Sequence, residues 1–182
     1  ETLNGVTVTR KTVSEDAPLP FNLGKLTSFC GSKFGYKPQE VMEITQSLRE
    51  KYKAISYNRT DCQYLTETQY AESSPTMDAV IRNIGFRPKQ LDMTLKSKCF
   101  NDKYTTDSGE AHTAIIPQNI SVDIHAMTEP ERKVYLAICQ YYMAQFMPPA
   151  KKERTALTVK LKDGGTLSAS ASKIIEMGYL TL

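Results

Sequence analysis

The sequence predicts an α+β fold in which helices dominate, and three observations carry that reading. Residues Gly5 to Lys11 alternate Val6 and Val8 with Thr7 and Thr9, the period-two pattern of a strand. From Asn22 to about Phe146, apolar residues recur at helical spacing between capping signals. From Thr155 the alternation returns as Leu157, Val159 and Leu161. It continues beyond the hairpin turn Asp163-Gly164-Gly165 as Leu167, Ala169 and Ala171. Strands at both ends therefore bracket a helical centre. The segments are a strand stub at 1–17, a helical domain at 18–147 and returning strands at 148–182.

The first strand runs into Ser14-Glu15-Asp16-Ala17-Pro18-Leu19-Pro20, which reads as a rigid linker. Asn22 caps a helix carrying Leu23, Leu26, Phe29, Cys30 and Phe34, and Gly35 ends it. Pro38 opens a second helix, with Val41, Ile44, Leu48 and Tyr52 as its apolar stripe. Two short helices around a glycine-containing turn resemble a helix-turn-helix pair. Thr66-Glu67-Thr68-Gln69 is a capping box for a short helix. Ser74-Pro75 starts another, burying Met77, Val80, Ile81 and Ile84 and ending at Gly85. Arg87 to Phe100 has no clear period, and Asn101 to Glu110 is a polar loop. Thr128-Glu129-Pro130-Glu131 caps a helix to about Phe146, with Val134, Ala137, Ile138, Tyr141 and Gln145 on one face. Met147-Pro148-Pro149 ends it.

Composition sets limits. The chain has 182 residues, 40% hydrophobic and 24% charged, with a net charge of +3. That suits an ordinary soluble core and does not by itself imply nucleic acid. Two stretches are locally basic. Arg49, Lys51, Lys53 and Arg59 oppose Glu50, and Lys151, Lys152, Arg154, Lys160 and Lys162 oppose Glu153. Each is either a solvated face or a phosphate-binding patch. Cys30, Cys62, Cys99 and Cys139 share no C-x-x-C spacing, which argues against zinc and for reduced thiols. No run suits a membrane span, and no signal peptide is visible. The first residue is Glu1, not Met, which suggests a piece of a longer protein.

The chemistry concentrates in Ile55-Ser56-Tyr57-Asn58-Arg59-Thr60-Asp61-Cys62-Gln63-Tyr64-Leu65. A phenol is an oxygen nucleophile once it loses its proton. A free one has a pKa near 10, so roughly one in a thousand is ionised at neutral pH, and a nearby cation favours the phenolate. Arg59 carries a planar fork that matches phosphate oxygens. The alternative is a surface turn in which Tyr57 packs on the core and Arg59 pairs with Asp61. His112, one of two histidines, lies in Gly109-Glu110-Ala111-His112-Thr113-Ala114-Ile115-Ile116-Pro117 and is either structural or part of a site.

Five stretches, in order, resemble the type IA DNA topoisomerases, the topoisomerase III branch above all. Ser56 to Leu65 is similar to the active-site tyrosine segment, and Pro18 to Leu26 to the segment leading into the tyrosine-bearing domain. Glu110 to Pro117 resembles the histidine motif, Met147-Pro148-Pro149-Ala150 the exit from that domain, and Thr155 to Val159 the return into a strand-built arch. The resemblance implies that Tyr57 and Arg59 are catalytic. Tyr57 would form a 5′-phosphotyrosyl bond with single-stranded DNA, and Arg59 would stabilise charge on the scissile phosphate. His112 would bind phosphate or assist proton transfer, with Thr60 and Asp61 as positioning residues at the phosphate. It further implies a helical tyrosine-bearing gate domain flanked by strand stubs of the arch. Strand passage and religation would need no ATP.

Magnesium would sit in a Toprim domain absent from this chain, so the fragment would hold no metal and be inactive alone. Its partners would be single-stranded DNA and the remaining topoisomerase domains. The fragment would be monomeric, cytoplasmic and nucleoid-associated, with no membrane contact. Asn58 stands where the family commonly has proline or methionine, and Gln118 where it has threonine or serine. The alternative function is a non-catalytic single-stranded-DNA-binding module built on the helix-turn-helix-like pair. A relaxase is excluded, because it needs three histidines at a metal and the chain has 2.

Overall fold

The computed structural model describes residues 5–105 and 112–182. The first residue, part of the expected Asn101–Glu110 loop and the Glu110-Ala111 start of the histidine motif lie outside them. The chain packs as two units. One is made from its two ends, up to Asp16 and again over Pro148–Thr181; the other is Ala17–Met147.

The first unit is a three-stranded antiparallel sheet of order β1-β2-β3: β1 Val6–Glu15, β2 Ala150–Lys160 and β3 Thr166–Glu176. The 161–165 turn closes the β2–β3 hairpin, as its Asp-Gly-Gly signal predicts. β1 extends beyond the expected strand. Ser14 and Glu15, read above as linker, pair with Lys151 and Ala150. β2 likewise begins earlier than its alternation, at Ala150, and stops before Leu161. The sheet ends on a 3-10 turn, Gly178–Thr181, where Gly178 has φ 51. A Cβ there would lie 2.4 Å from the Pro149 carbonyl oxygen, so glycine is required.

The second unit holds the helices α1 Leu23–Phe34, α2 Pro38–Glu50, α3 Glu67–Ala71, α4 Ser73–Ile84 and α5 Glu129–Ala144. Three caps form as read. The Asn22 side chain accepts from Lys25 N–H, Thr66 from Gln69 N–H and Thr128 from Glu131 N–H. Gly35 ends α1 at φ 76. α2 stops at Glu50, so Tyr52 lies beyond the stripe predicted for it. α4 starts one residue early and buries Ala79 beside Met77 and Val80, leaving Ile81 and Ile84 half-buried. α5 buries Tyr135, Cys139, Tyr142 and Met143 in addition to most of its expected face.

The core of this unit includes Leu26, Leu48, Leu65, Met77, Ile138, Tyr142 and Phe146, all nearly inaccessible. Each contributes about 1.5–3 kcal/mol by leaving water. Gln145, 1% exposed, is fully bonded. Its amide nitrogen donates to Pro18 O and Tyr141 O, both at 2.8 Å, and its oxygen accepts from Ser97 Oγ at 2.7 Å. The segment before α1 is thereby tied to the end of α5.

Candidate active site

Residues 54–65 have no regular secondary structure beyond isolated bridges, so their backbone groups bond to other segments. On one side lies the segment before α1. Leu23 N–H donates to Thr60 O at 3.0 Å, Asn22 Nδ2 to Asp61 O at 2.8 Å, and Gln63 Nε2 to Pro20 O at 2.9 Å. Asn22 therefore caps α1 with its oxygen and holds the tyrosine segment with its nitrogen. On the other side lies residues 112–118. Ser56 N–H donates to Ile116 O at 2.9 Å, Gln118 N–H to Ala54 O at 2.9 Å and Ala114 N–H to Tyr64 O at 2.9 Å. The Ser56 hydroxyl accepts from Ile116 N–H at 2.9 Å and faces Ala114 O at 3.1 Å. Phe21 and Ile115 complete the layer with a bridge of their own.

This lattice brings Tyr57 and His112 together. Their rings stack with centroids 4.8 Å apart and planes 21° from parallel. Both are half-buried. The Arg49 guanidinium, from the last turn of α2, lies 4.6 Å from the Tyr57 ring centroid. Such a contact is worth about 0.5–1 kcal/mol at an exposed position.

Two clefts flank the pair. One, about 450 Å³, is lined by His112, Arg59, Asp61, Gln63, Tyr64 and Tyr104. The other, about 600 Å³, is lined by Tyr57, Arg49, Glu50, Lys53, Ser56 and Gln118. Arg59 and Asp61 are exposed and do not pair with each other, so the ion-pair reading of the turn fails. Thr60 is 1% exposed, and its hydroxyl accepts from Cys62 N–H at 3.0 Å. It shapes the turn from inside. The stretch therefore presents an exposed cation and a reachable phenol on a backbone bonded along both edges.

Residues 2–182 match the family described as DNA topoisomerase. The chain belongs to that family. Within it, this topoisomerase chain is a type IA, topoisomerase III-like member. It is 35% identical over 174 residues to DNA topoisomerase 3 of Salmonella typhimurium, covering 94% of this chain and 26% of that protein. Against DNA topoisomerase 3 of Pasteurella multocida it is 33% identical over 171 residues, 92% of this chain and 25% of that one. The chain thus spans about a quarter of the length of the curated relatives it matches. The full-length topoisomerase I of Thermotoga maritima shares the fold, with a TM-score of 0.65 at 21% identity over 98% of this chain and 29% of that one.

Sequence reasoning singled out five candidate residues, and the structure groups four of them around two clefts, while Thr60 is buried. It missed Arg49 as a neighbour of Tyr57, and Ser56 and Asn58 as structural anchors. The signal for Arg49 was the basic cluster, but its distance from Tyr57 depends on how the chain reverses after α2. Among the described residues, no three His, Cys, Asp or Glu side chains come together as a metal would need. Among them, too, no helix is long and apolar enough to cross a membrane.

Proposed function

We propose that this chain supplies the tyrosine half of a type IA topoisomerase active site. Its residues 18–147 form the gate that carries the nucleophile, with residues 1–17 and 148–182 as arch stubs. The carrying observation is the stacked Tyr57–His112 pair, set between clefts that each contain an arginine.

The Tyr57 oxygen attacks a backbone phosphorus of single-stranded DNA. The P–O3′ bond breaks, and the 3′-oxygen leaves as a hydroxyl by taking up a proton. The 5′-phosphotyrosyl bond keeps the energy of the phosphodiester, so reversal after strand passage needs no ATP. Arg59, exposed and placed in the cleft with His112, meets the charge on the phosphate oxygens. His112, whose ring stacks on that of Tyr57, hydrogen-bonds the phosphate or relays the proton. Thr60 and Asp61 hold the turn, one from beneath and one at its rim. Magnesium and the remaining groups would belong to a Toprim domain outside this chain; the chain itself is a monomer, and the complete protein acts at the nucleoid.

The test uses the complete protein with single-stranded DNA and magnesium. A covalent adduct forms at Tyr57 and disappears in Tyr57→Phe; an adduct that survives this change sinks the assignment. The α1–α2 pair, joined through the left-handed Gly35, supports a second reading as a non-catalytic DNA-binding module. That reading expects strongly salt-dependent binding and no adduct.

A further inference from the structure

The reaction steps above use the Arg59 side of Tyr57. The other cleft is unassigned, and its chemistry is that of an anion site. Arg49 and Lys53 are both exposed at its wall. The one carboxylate residue in its lining, Glu50, already accepts from Gln46 Nε2 at 3.2 and 3.3 Å. Lys53 adds an independent sign. It holds φ 56, the one non-glycine residue with positive φ among the described residues. It follows the end of α2, where Ala54 N–H reaches back to Leu48 O at 2.8 Å. Glycine is the residue that occupies such a position without strain. A long cationic side chain stands there instead, beside the nucleophile, where local strain commonly serves a site.

We infer that Arg49 and Lys53 form a phosphodiester subsite for the DNA segment joined to Tyr57, on the 3′ side of the break. This rests on Tyr57 being the nucleophile. Once the P–O3′ bond has broken, the 3′-hydroxyl end has no bond to this chain, whereas the 5′-phosphate end is attached to it. Tyr57 itself lines the Arg49 cleft, so that cleft offers the attached segment a path away from the phenol. The Arg59 cleft holds the group that meets the scissile phosphate, so the next linkages fall to the Arg49 side. A guanidinium resting on the tyrosine ring can offer its fork edge to phosphate oxygens while its plane stays on the ring. The Lys53 ammonium is a second, mobile point charge for the following linkage. Together they hold the attached strand while the gap is open and keep Tyr57 oriented for religation.

The experiment is a cycle in the complete protein. The dissociation constant of a cleavage-site oligonucleotide is measured in a Tyr57→Phe background, which blocks chemistry and keeps the ring. One strand is all phosphodiester; another has a neutral methylphosphonate at the first or second linkage 3′ of the break. The neutral linkage weakens binding about tenfold when Arg49 is present and hardly at all in Arg49→Ala. Equal penalties with and without Arg49 overturn its role. Lys53→Gly relieves the positive φ, so thermal stability is kept or raised, while the slope of log Kd against log salt falls by about 0.7. An unchanged slope overturns the role of Lys53. A protein with Tyr57 intact that forms no adduct on the all-phosphodiester strand overturns the function and the subsite together. Adduct formation with equal penalties overturns the subsite alone.

Discussion

The Asn58 side-chain amide donates a 3.0 Å hydrogen bond to the Thr45 hydroxyl, and the two residues are 2% and 0% exposed. The hydroxyl in turn faces Met42 O at 3.0 Å. The residue after Tyr57 is therefore locked to α2, the helix that also carries Arg49. The family's commoner proline or methionine at this position has no amide to make that bond.

Asn58→Ala leaves Thr45 without its donor in a dry site. Stability falls by about 1–3 kcal/mol, read by urea unfolding. Thr45→Val has a similar effect, and the double variant loses less than the two single losses combined, because they remove one shared bond. Strictly additive losses would show that the pair is uncoupled.

Acid unfolding should be governed in part by Glu131, which is buried at the start of α5. Burial acts to raise its carboxyl pKa. Hydrogen bonds from Ser47 Oγ at 2.6 Å, Thr128 N–H at 2.8 Å, Thr128 Oγ1 at 2.9 Å and Tyr52 Oη at 3.2 Å outweigh this and hold it below the usual value. A depressed folded-state pKa means the contribution is present above the unfolded pKa, near 4.3, and is lost as pH falls through the folded one. Glu131→Gln should lower stability at neutral pH by about 1–3 kcal/mol and flatten the acid limb of the stability profile. An acid limb identical to that of the parent protein refutes this.

The cysteines divide three to one. Burial pushes the Cys30 thiol up to about 11 and those of Cys99 and Cys139 to about 12. Cys62 is half-buried and lines the Arg59 cleft. Since the thiolate is the reactive form, iodoacetamide at pH 8 should label Cys62 first and spare the others until the protein unfolds. Peptide mapping checks this, and comparable labelling of Cys30 in the native protein contradicts it.

The parts of the fold legible in the sequence are those whose hydrogen bonds close within three or four residues. Asn22, Thr66 and Thr128 declare caps because each side chain reaches a backbone N–H three residues on. Asp163-Gly164-Gly165 declares a turn for the same local reason. The misread boundaries depended on distant partners. Ser14 and Glu15 look like linker, yet Lys151 and Ala150 hold them in the sheet. Tyr52 fits the stripe of α2, yet it lies beyond the helix, with its hydroxyl near Ala126 O and Glu131. Ala79 is too small to mark a buried face, and only packing reveals that it lies on one.

For the site, the sequence by itself determined which groups are present and in what order: a phenol, an arginine, a histidine and their flanking motifs. Only the tertiary structure decided which of them meet. Tyr57 and His112 lie far apart along the chain, and their contact is made by backbone bonds between Ser56 and Ile116, Ala54 and Gln118, and Tyr64 and Ala114. Those bonds form because residues 54–65 have no helix or sheet ladder of their own, and buried N–H and C=O groups must find partners. Arg49 reaches Tyr57 for a related reason. The chain leaves α2 through Lys53 at positive φ, and the Arg49 side chain from the last turn of α2 meets the Tyr57 ring beyond it.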